Sequence, residues 1–323
     1  MNKPIAIIAG EPNSIASEII FKSWILRKRH KYKPLFIIGN YQLLNIQKKK
    51  LKYKIKLKKI KNVSEVYKLN KNELLVYDVE YKQKKSFEKI SDKSTIYILK
   101  CFNYAIKLFN KKKILGFINC PVSKEFLFKK NYQGVTEYLS KKTGRNGSEV
   151  MLIFNKKLSV SPITTHISLD QVSKNIKKLR IIKNVKIINA FYKKTFNKKP
   201  NFAILGLNPH NFSTSKISIE RKVIKKAIQN LLKLKINVSG PISPDTSFIN
   251  TKKYKYDVII GMYHDQVLTP FKALYNFDAI NITLGLPFVR VSPDHGVGED
   301  IVGRKIANPK SLIESIKFFS FIK

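Results

Sequence analysis

Three histidines follow short apolar runs that have the character of strands. His166 lies in ITTHISLD, His210 in LGLNPHN and His264 in MYHDQ, each near an Asp or an Asn. In an open α/β sheet, ligands gather at the carboxyl ends of the strands. Neutral imidazole is the commonest protein ligand for a divalent metal, and three imidazoles leave one coordination position open for substrate or water. The pattern therefore predicts a metal site formed by these three residues.

Residues that can bind an anion come soon after the last of these histidines. Lys272, Asn281 and Arg290 all lie in FKALYNFDAINITLGLPFVR. Because the chain has only seven arginines, Arg290 is the most informative of the three. Its planar fork can hold a phosphate or a carboxylate through two bonds at once. Upstream, Thr136 in QGVTEYL stands at an expected helix start, where a hydroxyl can cap the helix or join its amides in holding an anion.

Two aspartates are candidates for proton transfer. Asp245 lies in SPDTSF, and Asp265 directly follows His264. Either one could act as a general base, or could orient a ligand imidazole by accepting its second ring proton. The sequence leaves both possibilities open for both residues.

Short apolar runs alternate with longer amphipathic runs along the chain. This alternation predicts an α/β protein with largely parallel sheets. The expected strands are Ile5–Ala9, Leu35–Ile38, Leu74–Val79, Leu115–Cys120, Val150–Phe154, Val160–Thr164, Phe202–Leu205, Val258–Tyr263, Ala279–Thr283 and a short one near Phe288–Val291. The expected helices are Ile15–Arg29, Thr95–Asn110, Lys178–Thr195, Ile217–Leu234 and Ser311–Ile322.

The formal net charge is +42, and lysines supply most of it. A nucleic-acid surface would normally use Arg as well, because its fork pairs with phosphates and base edges. The excess of Lys therefore indicates a compositional bias on solvated faces. The densest patch, Ile46–Asn62, is interpreted as a solvated strand-and-loop face, with a polyanion site as the alternative. The field of such a surface would favour an anionic substrate.

Composition also narrows the class of protein. No apolar run approaches the roughly 20 residues that a membrane helix needs, and the N-terminus lacks the plan of a signal peptide. The two cysteines, Cys101 and Cys120, have no spacing typical of a metal or redox motif and are expected to be buried thiols. These features predict a cytoplasmic protein with no membrane partner.

A series of motifs runs along the whole chain. It begins with IIAGEPNSIASEI and continues with NCPVSK, VTEYL, TTHISL, GLNPH, PDTSF, MYHDQVLTPFK and NITLGLPFVRVSPDHG. Their order and separations resemble those of the 4-hydroxythreonine-4-phosphate dehydrogenase family of pyridoxal 5'-phosphate biosynthesis. The resemblance implies that a divalent ion is held by His166, His210 and His264. It also implies that the substrate is contacted by Thr136, Lys272, Asn281 and Arg290.

This resemblance carries an expected architecture. It implies the fold of isopropylmalate and isocitrate dehydrogenases, with two α/β/α subdomains, mostly parallel sheets and an active site in the cleft. The first subdomain is expected over residues 1–130 with 298–323, and the second, with the metal and substrate site, over 131–297. The resemblance further implies a homodimer with its active site at the subunit interface and one divalent ion (Zn, Mg or Co) per subunit.

The implied reaction is an oxidation that depends on NAD and a metal. It converts 4-phosphohydroxy-L-threonine to 2-amino-3-oxo-4-phosphooxybutanoate, which decarboxylates to 3-amino-2-oxopropyl phosphate. One alternative is a paralogous dehydrogenase of 4-phosphothreonate or 4-phosphoerythronate. A more distant alternative is a non-catalytic basic protein that binds nucleic acid, although the three histidines argue against it.

The expected cofactor site is not of the Rossmann type, because no GxGxxG follows the first strand. Instead, DHGVGEDIVGRKIANP resembles the cofactor loop of isopropylmalate and isocitrate dehydrogenases. This implies that NAD, or NADP, is contacted by His295, Gly296, Asp300 and Asn308.

Three motifs depart from the family pattern. Val135 stands where the family usually has His, so one polar substrate contact is absent, and a return to His is expected to improve substrate use. Ser14 and Ala16 replace glycines in GEPNSIASE, and Val267 replaces the Gly that usually follows HDQ. None of these changes touches the three histidines.

Overall fold

The chain forms two compact units. The structure, a computed structural model, describes residues 3–27, 32–68, 72–128, 132, 134–212, 218–249 and 255–322. One unit consists of Met1–Gly147 with Leu286–Lys323, and the other of Ser148–Gly285.

The strands are short and most of them are buried, which is typical of sheets covered on both faces. In chain order they are β1 (Ile5–Ile8), β2 (Leu35–Gly39), β3 (Lys56–Ile60), β4 (Glu73–Asp78), β5 (Gly116–Asn119), β6 (Val150–Phe154), β7 (Ser159–Thr164), β8 (Phe202–Leu205), β9 (Val238–Ile242), β10 (Val258–Tyr263), β11 (Ile280–Leu284) and β12 (Val289–Pro293). The sequence analysis did not single out β3, which is rich in Lys, or β9, which contains a Gly and a Pro.

The helices alternate with these strands. The α-helices in the described parts of the chain are α1 (Ala16–Leu26), α2 (Tyr41–Lys50), α3 (Thr95–Asn110), α4 (Lys124–Phe128), α5 (Val135–Lys142), α6 (Leu169–Asn175), α7 (Lys178–Phe196), α8 (Lys225–Lys233), α9 (His264–Tyr275) and α10 (Lys310–Phe318). A π-helical turn, Glu220–Ile224, leads directly into α8. Two expected helices, Ile15–Arg29 and Ile217–Leu234, each have an end that lies outside the described residues.

The first unit is built on a parallel sheet. Its strands lie in the order β3, β4, β2, β1, β5 and β12, and each neighbouring pair is parallel. The central strands β1 and β2 have the sequences IAII and LFIIG and are buried along their whole length. Such continuous apolar runs are typical of parallel strands with helices on both faces.

Aromatic rings fill the core of the first unit. Helix α3 buries Ile98, Phe102 and Ala105 on one face, at the spacing of three to four residues that defines a helical stripe. The ring centroid of Phe102 lies 6.4 Å from that of Phe117 and 6.1 Å from that of Tyr138, both nearly edge-on. Edge-on pairs are favoured by the quadrupoles of the rings. Since Tyr138 belongs to α5, this packing fixes the helix that carries Thr136.

The boundaries of the units differ from the expected division. Residues 131–147 and 286–297 were expected in the second subdomain, but they belong to the first unit. The reason for the first segment is the packing of Tyr138 in the core described above. The reason for the second is that β12 pairs with β5, so that Arg290 lies opposite Phe117.

The second unit has a mixed sheet in the order β11, β6, β7, β10, β8 and β9. Strand β6 is antiparallel to both β11 and β7, whereas β7, β10, β8 and β9 run parallel to one another. The three strands that precede the predicted ligand histidines are therefore adjacent and point the same way. The prediction of an α/β fold with mostly parallel sheets is confirmed.

Two expectations from composition can also be checked. Cys101 and Cys120 are buried free thiols, as predicted. Burial raises the pKa of both thiols, so they stay protonated and have little nucleophilic character. Among the described helices, none is both long and apolar enough to cross a membrane.

Strand β3 accounts for part of the dense lysine patch. It forms the edge of the first unit's sheet, and its exposed Lys56 and Lys59 alternate with buried Leu57 and Ile60. Lysines on an edge strand prevent it from pairing with the edge of another chain. The ammonium of Lys56 also lies 2.7 Å from a carboxylate oxygen of Glu73 on β4. These lysines therefore have a local structural role that requires no polyanion.

We expect the neighbouring lysines of α2 to be dispensable for partner binding. Lys48, Lys49 and Lys50 lie in the last turn of α2, where each cation stabilises a helix by about 0.3–1 kcal/mol at low ionic strength. Changing all three to Gln should lower the melting temperature slightly at low salt and hardly at all at high salt. Thermal unfolding at two salt concentrations measures this. An electrophoretic shift of nucleic acid by the wild type at physiological salt, lost in the triple variant, would instead identify a polyanion site.

Candidate active site

The structure brings two of the predicted ligand histidines together. In the second unit, β10 pairs with β7 so that Tyr263 lies opposite Thr164, and the two strands end side by side. His264 is the first residue of α9, and His166 comes two residues after β7. Their ring centroids are 6.0 Å apart, with the ring planes inclined at 36°.

Two of the three histidines have an unusual backbone conformation. The angle φ is 35° at His166 and 49° at His210. Positive φ is uncommon for residues other than Gly, and it costs of order 1–3 kcal/mol where the surrounding contacts hold it. Eight other non-Gly residues of the described chain, five of them lysines, share this conformation, so it does not by itself assign a function to either histidine.

The donor set fits a divalent metal ion in part. Nδ1 of His264 lies 2.8 Å from Oδ1 of Asp265, so a proton shared there leaves Nε2 to bind a metal. With metal–nitrogen bonds of about 2.0–2.1 Å, two imidazoles at this spacing can reach one ion between them. In the parts of the chain that the structure describes, however, no three His, Cys, Asp or Glu side chains are grouped to hold a metal. One chain therefore assembles His166 with His264 and does not add His210.

His210 lies instead in the neighbourhood of Asp245. The pKa of Asp245 is held below its usual value, first by the adjacent Ser243 side chain and to a smaller extent by the charge of His210. Asp245 is exposed and ionised at neutral pH, while Oδ1 of Asp265 is engaged by His264. The structure thus separates the two candidate aspartates, because one contacts His264 and the other lies near His210.

Two polar side chains, of the half-buried Gln266 and the buried Glu220, hold the backbone next to these histidines. Gln266 accepts a hydrogen bond from the amide of Met262 (2.6 Å) and donates one to the carbonyl of Gly206 (2.8 Å). It therefore ties the start of α9 to the end of β8. Glu220 is buried and accepts hydrogen bonds from the backbone amides at positions 207 and 208, at 3.0 and 2.9 Å. These bonds hold the loop that leads to His210.

The predicted substrate residues of the second unit lie on α9 and β11. Lys272 is exposed on α9, about two turns after His264. Asn281 lies on β11, and its side-chain oxygen is buried without a hydrogen-bond partner among the described residues. An unsatisfied buried acceptor costs about 1–3 kcal/mol, and a ligand that donates a hydrogen bond would remove that cost.

The first unit contains the other residues that were predicted to bind an anion. Arg290 on β12 is 3% exposed, and its Nε donates a 2.7 Å hydrogen bond to the side-chain oxygen of Asn119. Burial lowers the pKa of Arg290 to about 10, against the opposing effect of Glu137, and the guanidinium stays charged at neutral pH. A buried cation is costly unless it serves a purpose, so Arg290 is a strong candidate for an anion ligand. Asn119 is the first residue of the NCPVSK motif, but nothing in the sequence marked it as the partner of Arg290.

Thr136 is in the first turn of α5, as expected. The preceding residue, Val135, was expected next to the substrate but has a different role. Val135 is 6% exposed and belongs to the core of the first unit, together with Phe128, Tyr138 and Leu139. A histidine there would place an imidazole among apolar side chains, which is costly without a partner. The expectation that Val135→His improves substrate use therefore does not follow from this structure.

The predicted cofactor residues all lie in the first unit. Nδ1 of His295 lies 3.1 Å from the carbonyl oxygen of Gly296. Asp300 is exposed in a 3₁₀ turn, Glu299–Ile301. Asn308 is exposed and accepts a 2.9 Å hydrogen bond from the amide of Lys310, at the start of α10. The exposed carboxylates of this turn fit the hydroxyls of a nucleotide ribose, while the side-chain oxygen of Asn308 already has a structural partner.

Comparison with known proteins decides the family. The model of "Pyridoxal phosphate biosynthetic protein PdxA" matches residues 30–319. A 4-hydroxythreonine-4-phosphate dehydrogenase of Sulfurihydrogenibium sp. (strain YO3AOP1) is 38% identical over 325 residues, which cover 99% of this chain and 98% of the relative. The chain belongs to the PdxA family. This membership supports an oxidoreductase role.

Other relatives give the breadth of the PdxA family and its fold. A D-threonate 4-phosphate dehydrogenase of Salmonella typhimurium is 31% identical over 321 residues, covering 98% of this chain and 97% of the relative. The crystal structure of a 4-hydroxythreonine-4-phosphate dehydrogenase from Klebsiella pneumoniae superposes with a TM-score of 0.85 at 27% identity, over 100% of both chains. The isocitrate dehydrogenase of Methylococcus capsulatus shares the fold, with a TM-score of 0.52 at 10% identity over 100% of this chain and 86% of that one.

Two departures from the PdxA pattern are absorbed locally. Neither Ser14 nor Ala16 has a positive φ, so neither position requires glycine. The hydroxyl of Ser14 donates to the carbonyl of Glu11 (2.7 Å) and accepts from the amide of Ala16 (3.1 Å), the first residue of α1. Val267 is fully buried against Gly261, where an added Cβ would overlap its side chain. The valine fills space that the missing side chain of Gly261 leaves open.

We expect Gln266 to position the histidines of this PdxA chain. Gln266→Leu should leave the Met262 amide and the Gly206 carbonyl without their partner, at a cost of about 1–3 kcal/mol each. It should also weaken metal binding by about 10–100-fold, the usual effect of losing a residue that orients metal ligands. Thermal unfolding and Co²⁺ titration measure both effects. The matched control is Gln171→Leu on α6, whose amide contacts the adjacent Asp170; equal behaviour of the two variants would contradict the role.

Proposed function

We propose that this chain catalyses the NAD- and metal-dependent oxidation of 4-phosphohydroxy-L-threonine to 2-amino-3-oxo-4-phosphooxybutanoate, which decarboxylates to 3-amino-2-oxopropyl phosphate. The observation that carries the proposal is the pair of facing imidazoles, His166 and His264, at the ends of adjacent strands in a member of the PdxA family. The name of the Sulfurihydrogenibium relative, which matches nearly the full length, supports this substrate.

The substrate phosphate is assigned to cationic residues among the predicted substrate ligands. Arg290 is the main ligand, because Asn119 fixes its guanidinium plane through Nε and burial strengthens its field. Lys272 adds a second cation and Thr136 a hydroxyl at the start of α5. Asn281 offers its buried oxygen to a donor group of the substrate, such as an amine or a hydroxyl.

Residues around the histidine pair are assigned to proton handling. A divalent ion bound there would act as a Lewis acid and lower the pKa of the substrate hydroxyl. Asp265 accepts the Nδ1 proton of His264 and fixes the tautomer that leaves Nε2 for the metal. Asp245 is the other general-base candidate: its exposed carboxylate is ionised at neutral pH and lies near His210, so it would act in this site only together with His210.

The cofactor is assigned to the segment from His295 to Asn308. The exposed carboxylates of Glu299 and Asp300 can accept hydrogen bonds from ribose hydroxyls. They would also repel the extra phosphate of NADP, which supports NAD as the cofactor. His295 and Gly296 lie at the start of the same segment and would contact the rest of the dinucleotide.

A homodimer would complete the metal site. One described chain contributes two imidazoles, whereas a catalytic site of this type uses three protein ligands and one open position. In a two-fold symmetric dimer both subunits use the same interface patch, and residues of one subunit contact different residues of the other across it, so a third ligand can come from a second copy. We assign that role to His210, which carries the same backbone strain as His166.

A second candidate substrate is supported by a specific relative. The Salmonella typhimurium relative is named for D-threonate 4-phosphate, a substrate of the 4-phosphothreonate class, which carries a hydroxyl in place of the amine. The apolar Val135 removes one polar contact near Thr136, which is compatible with either compound. A direct comparison of the two phosphorylated acids, and of 4-phosphoerythronate, as reductants of NAD distinguishes these candidates.

A role in nucleic-acid binding has weak support. The family match covers residues 30–319, and lysines of the dense patch pair with carboxylates of the same sheet. The positive field of the surface serves an anionic substrate equally well.

We expect Arg290→Lys to impair the use of phosphorylated substrate specifically. Lys cannot reproduce the bidentate fork, so kcat/KM should fall by an amount that corresponds to about 1.5–3 kcal/mol, the value of a charged hydrogen bond. Steady-state kinetics on phosphorylated and unphosphorylated 4-hydroxythreonine measure the effect, with the exposed Arg145→Lys as the matched control. Equal use of the two compounds by the wild type would show that no phosphate is recognised.

We expect metal binding and turnover to require His210 from one subunit and His264 from the other. His210→Ala and His264→Ala should each lose the divalent ion and activity, as should the wild type after treatment with a chelator. A mixed dimer of the two variants contains one intact site, so random mixing should restore about one quarter of the wild-type activity. Co-expression followed by activity and metal assays measures this. If mixed dimers form and remain inactive, the ligands do not come from two chains.

A further inference from the structure

Two side chains of α1 hold an irregular segment near the C-terminus. Glu18 accepts a hydrogen bond from the amide of Ala307 (2.7 Å) and lies 2.8 Å from the ammonium of Lys22, one turn further along α1. Lys22 in turn donates to the carbonyls of Lys305 (3.0 Å) and Ala307 (2.7 Å). The pair, here called the α1 clamp, therefore binds both polar backbone groups of Ala307.

The same helix also holds the beginning of this segment. The amide of Ile15, just before α1, donates a 3.0 Å hydrogen bond to the carbonyl of Val297. Gly298 follows with φ of 61°, and a Cβ there would lie 3.0 Å from the side chain of Ile15. Only glycine fits this close approach without strain. Residues 299–304 thus lie between two anchors that belong to one element of the first unit.

The chemistry of the α1 clamp indicates that it positions the backbone more than it stabilises the fold. Glu18 is 1% exposed, and its second carboxylate oxygen has no hydrogen-bond partner among the described residues. Next to it, burial and then the charge of Glu18 raise the pKa of Tyr53 to about 12. A buried carboxylate with an unsatisfied oxygen stabilises a fold poorly compared with an apolar side chain of similar size. The carboxylate does fix the position of the backbone that it binds.

We propose that Glu18 and Lys22 are positioning residues for the nucleotide. They set the place of residues 299–304, whose exposed Glu299 and Asp300 meet the ribose of NAD. This inference rests on the proposed function, which assigns NAD to the segment from His295 to Asn308. The clamp itself does not touch the cofactor and acts through the backbone of Ala307.

The first measurement follows the clamp without any cofactor. Hydrogen–deuterium exchange reports the opening of the Ala307 amide in the wild type, Glu18→Gln and Lys22→Met. Both variants keep the size of the side chain. Exchange at Ala307 should be faster by about tenfold. Glu18→Gln replaces the charge-assisted hydrogen bond to the Ala307 amide with a neutral one, and Lys22→Met removes the cation that pairs with Glu18. The matched control is Lys317→Met, which breaks the 2.8 Å pair with Glu314 on α10 and should leave Ala307 unchanged.

The second measurement follows NAD binding by calorimetry. The wild type should bind NAD, and NAD should slow exchange across residues 299–304. The two clamp variants should bind NAD more weakly by about two- to thirtyfold, the usual range for residues that act through others. The KM for NAD should rise with little change in kcat, and the affinity for inorganic phosphate should stay the same.

The outcomes separate the inference from the function on which it rests. If the wild type binds no NAD, the proposed cofactor is wrong and the inference falls with it. If the wild type binds NAD and the clamp variants bind it equally well, the inference alone is wrong. Unchanged exchange at Ala307 in both variants would also overturn it. A general loss of structure is recognised by a fall in phosphate affinity, against which Lys317→Met gives the baseline.

Discussion

The parallel pairing of β7, β10 and β8 is the constraint on which the chemistry of the second unit depends. Because these strands point the same way and end at one edge, the residues that follow them are delivered to the same place. Because these residues lie past the ends of the strands, they take no part in the hydrogen bonds between strands, and the sheet does not orient them. Gln266 and Glu220 instead hold the backbone around these residues with bonds to backbone groups. The histidines therefore follow a rigid sheet on a backbone that polar side chains keep in place.

Both units contain groups that are expected to destabilise the fold close to the candidate sites. In the first unit, Arg290 is a buried cation and Glu18 a buried carboxylate with an unsatisfied oxygen. In the second, Asn281 has a buried acceptor without a partner, and His166 has a strained backbone. Apolar substitutes of similar size would often stabilise a fold at least as well as such groups. His166 lies just past the carboxyl end of β7, where ligands bind in α/β proteins, whereas Asn281 and Arg290 lie within β11 and β12 and Glu18 lies on α1. Stability alone does not account for these groups.

The sequence was sufficient to predict the elements that have a strong hydrophobic periodicity, and to identify the residue types that can do chemistry. Strands such as Val258–Tyr263 and Phe202–Leu205 were predicted to the residue because they are short, buried apolar runs between polar boundaries. Strand β3 was anticipated only as part of a solvated strand-and-loop face, because three of its five residues are Lys and its buried positions do not alternate strictly. The histidines and Arg290 were found because their types are rare in this chain, whereas Glu220 and Asn119 are common types whose role depends on tertiary contacts. Periodicity could not reveal that Val135 is a core residue or that His210 lies apart from His166 and His264.

The pattern of change around these sites shows which positions tolerate substitution. Ser14 replaces a glycine by supplying a local hydrogen bond, and Val267 fills space beside Gly261. Both cases need only a small group of suitable volume, which many side chains provide. The lysine excess is tolerated for a related reason, since an exposed lysine interacts mainly with water. A buried guanidinium held by Asn119 has no such substitute, because no other side chain offers a planar charged fork. Compositional bias can therefore spread over the surface of this chain more readily than it can replace a buried, hydrogen-bonded charge such as that of Arg290.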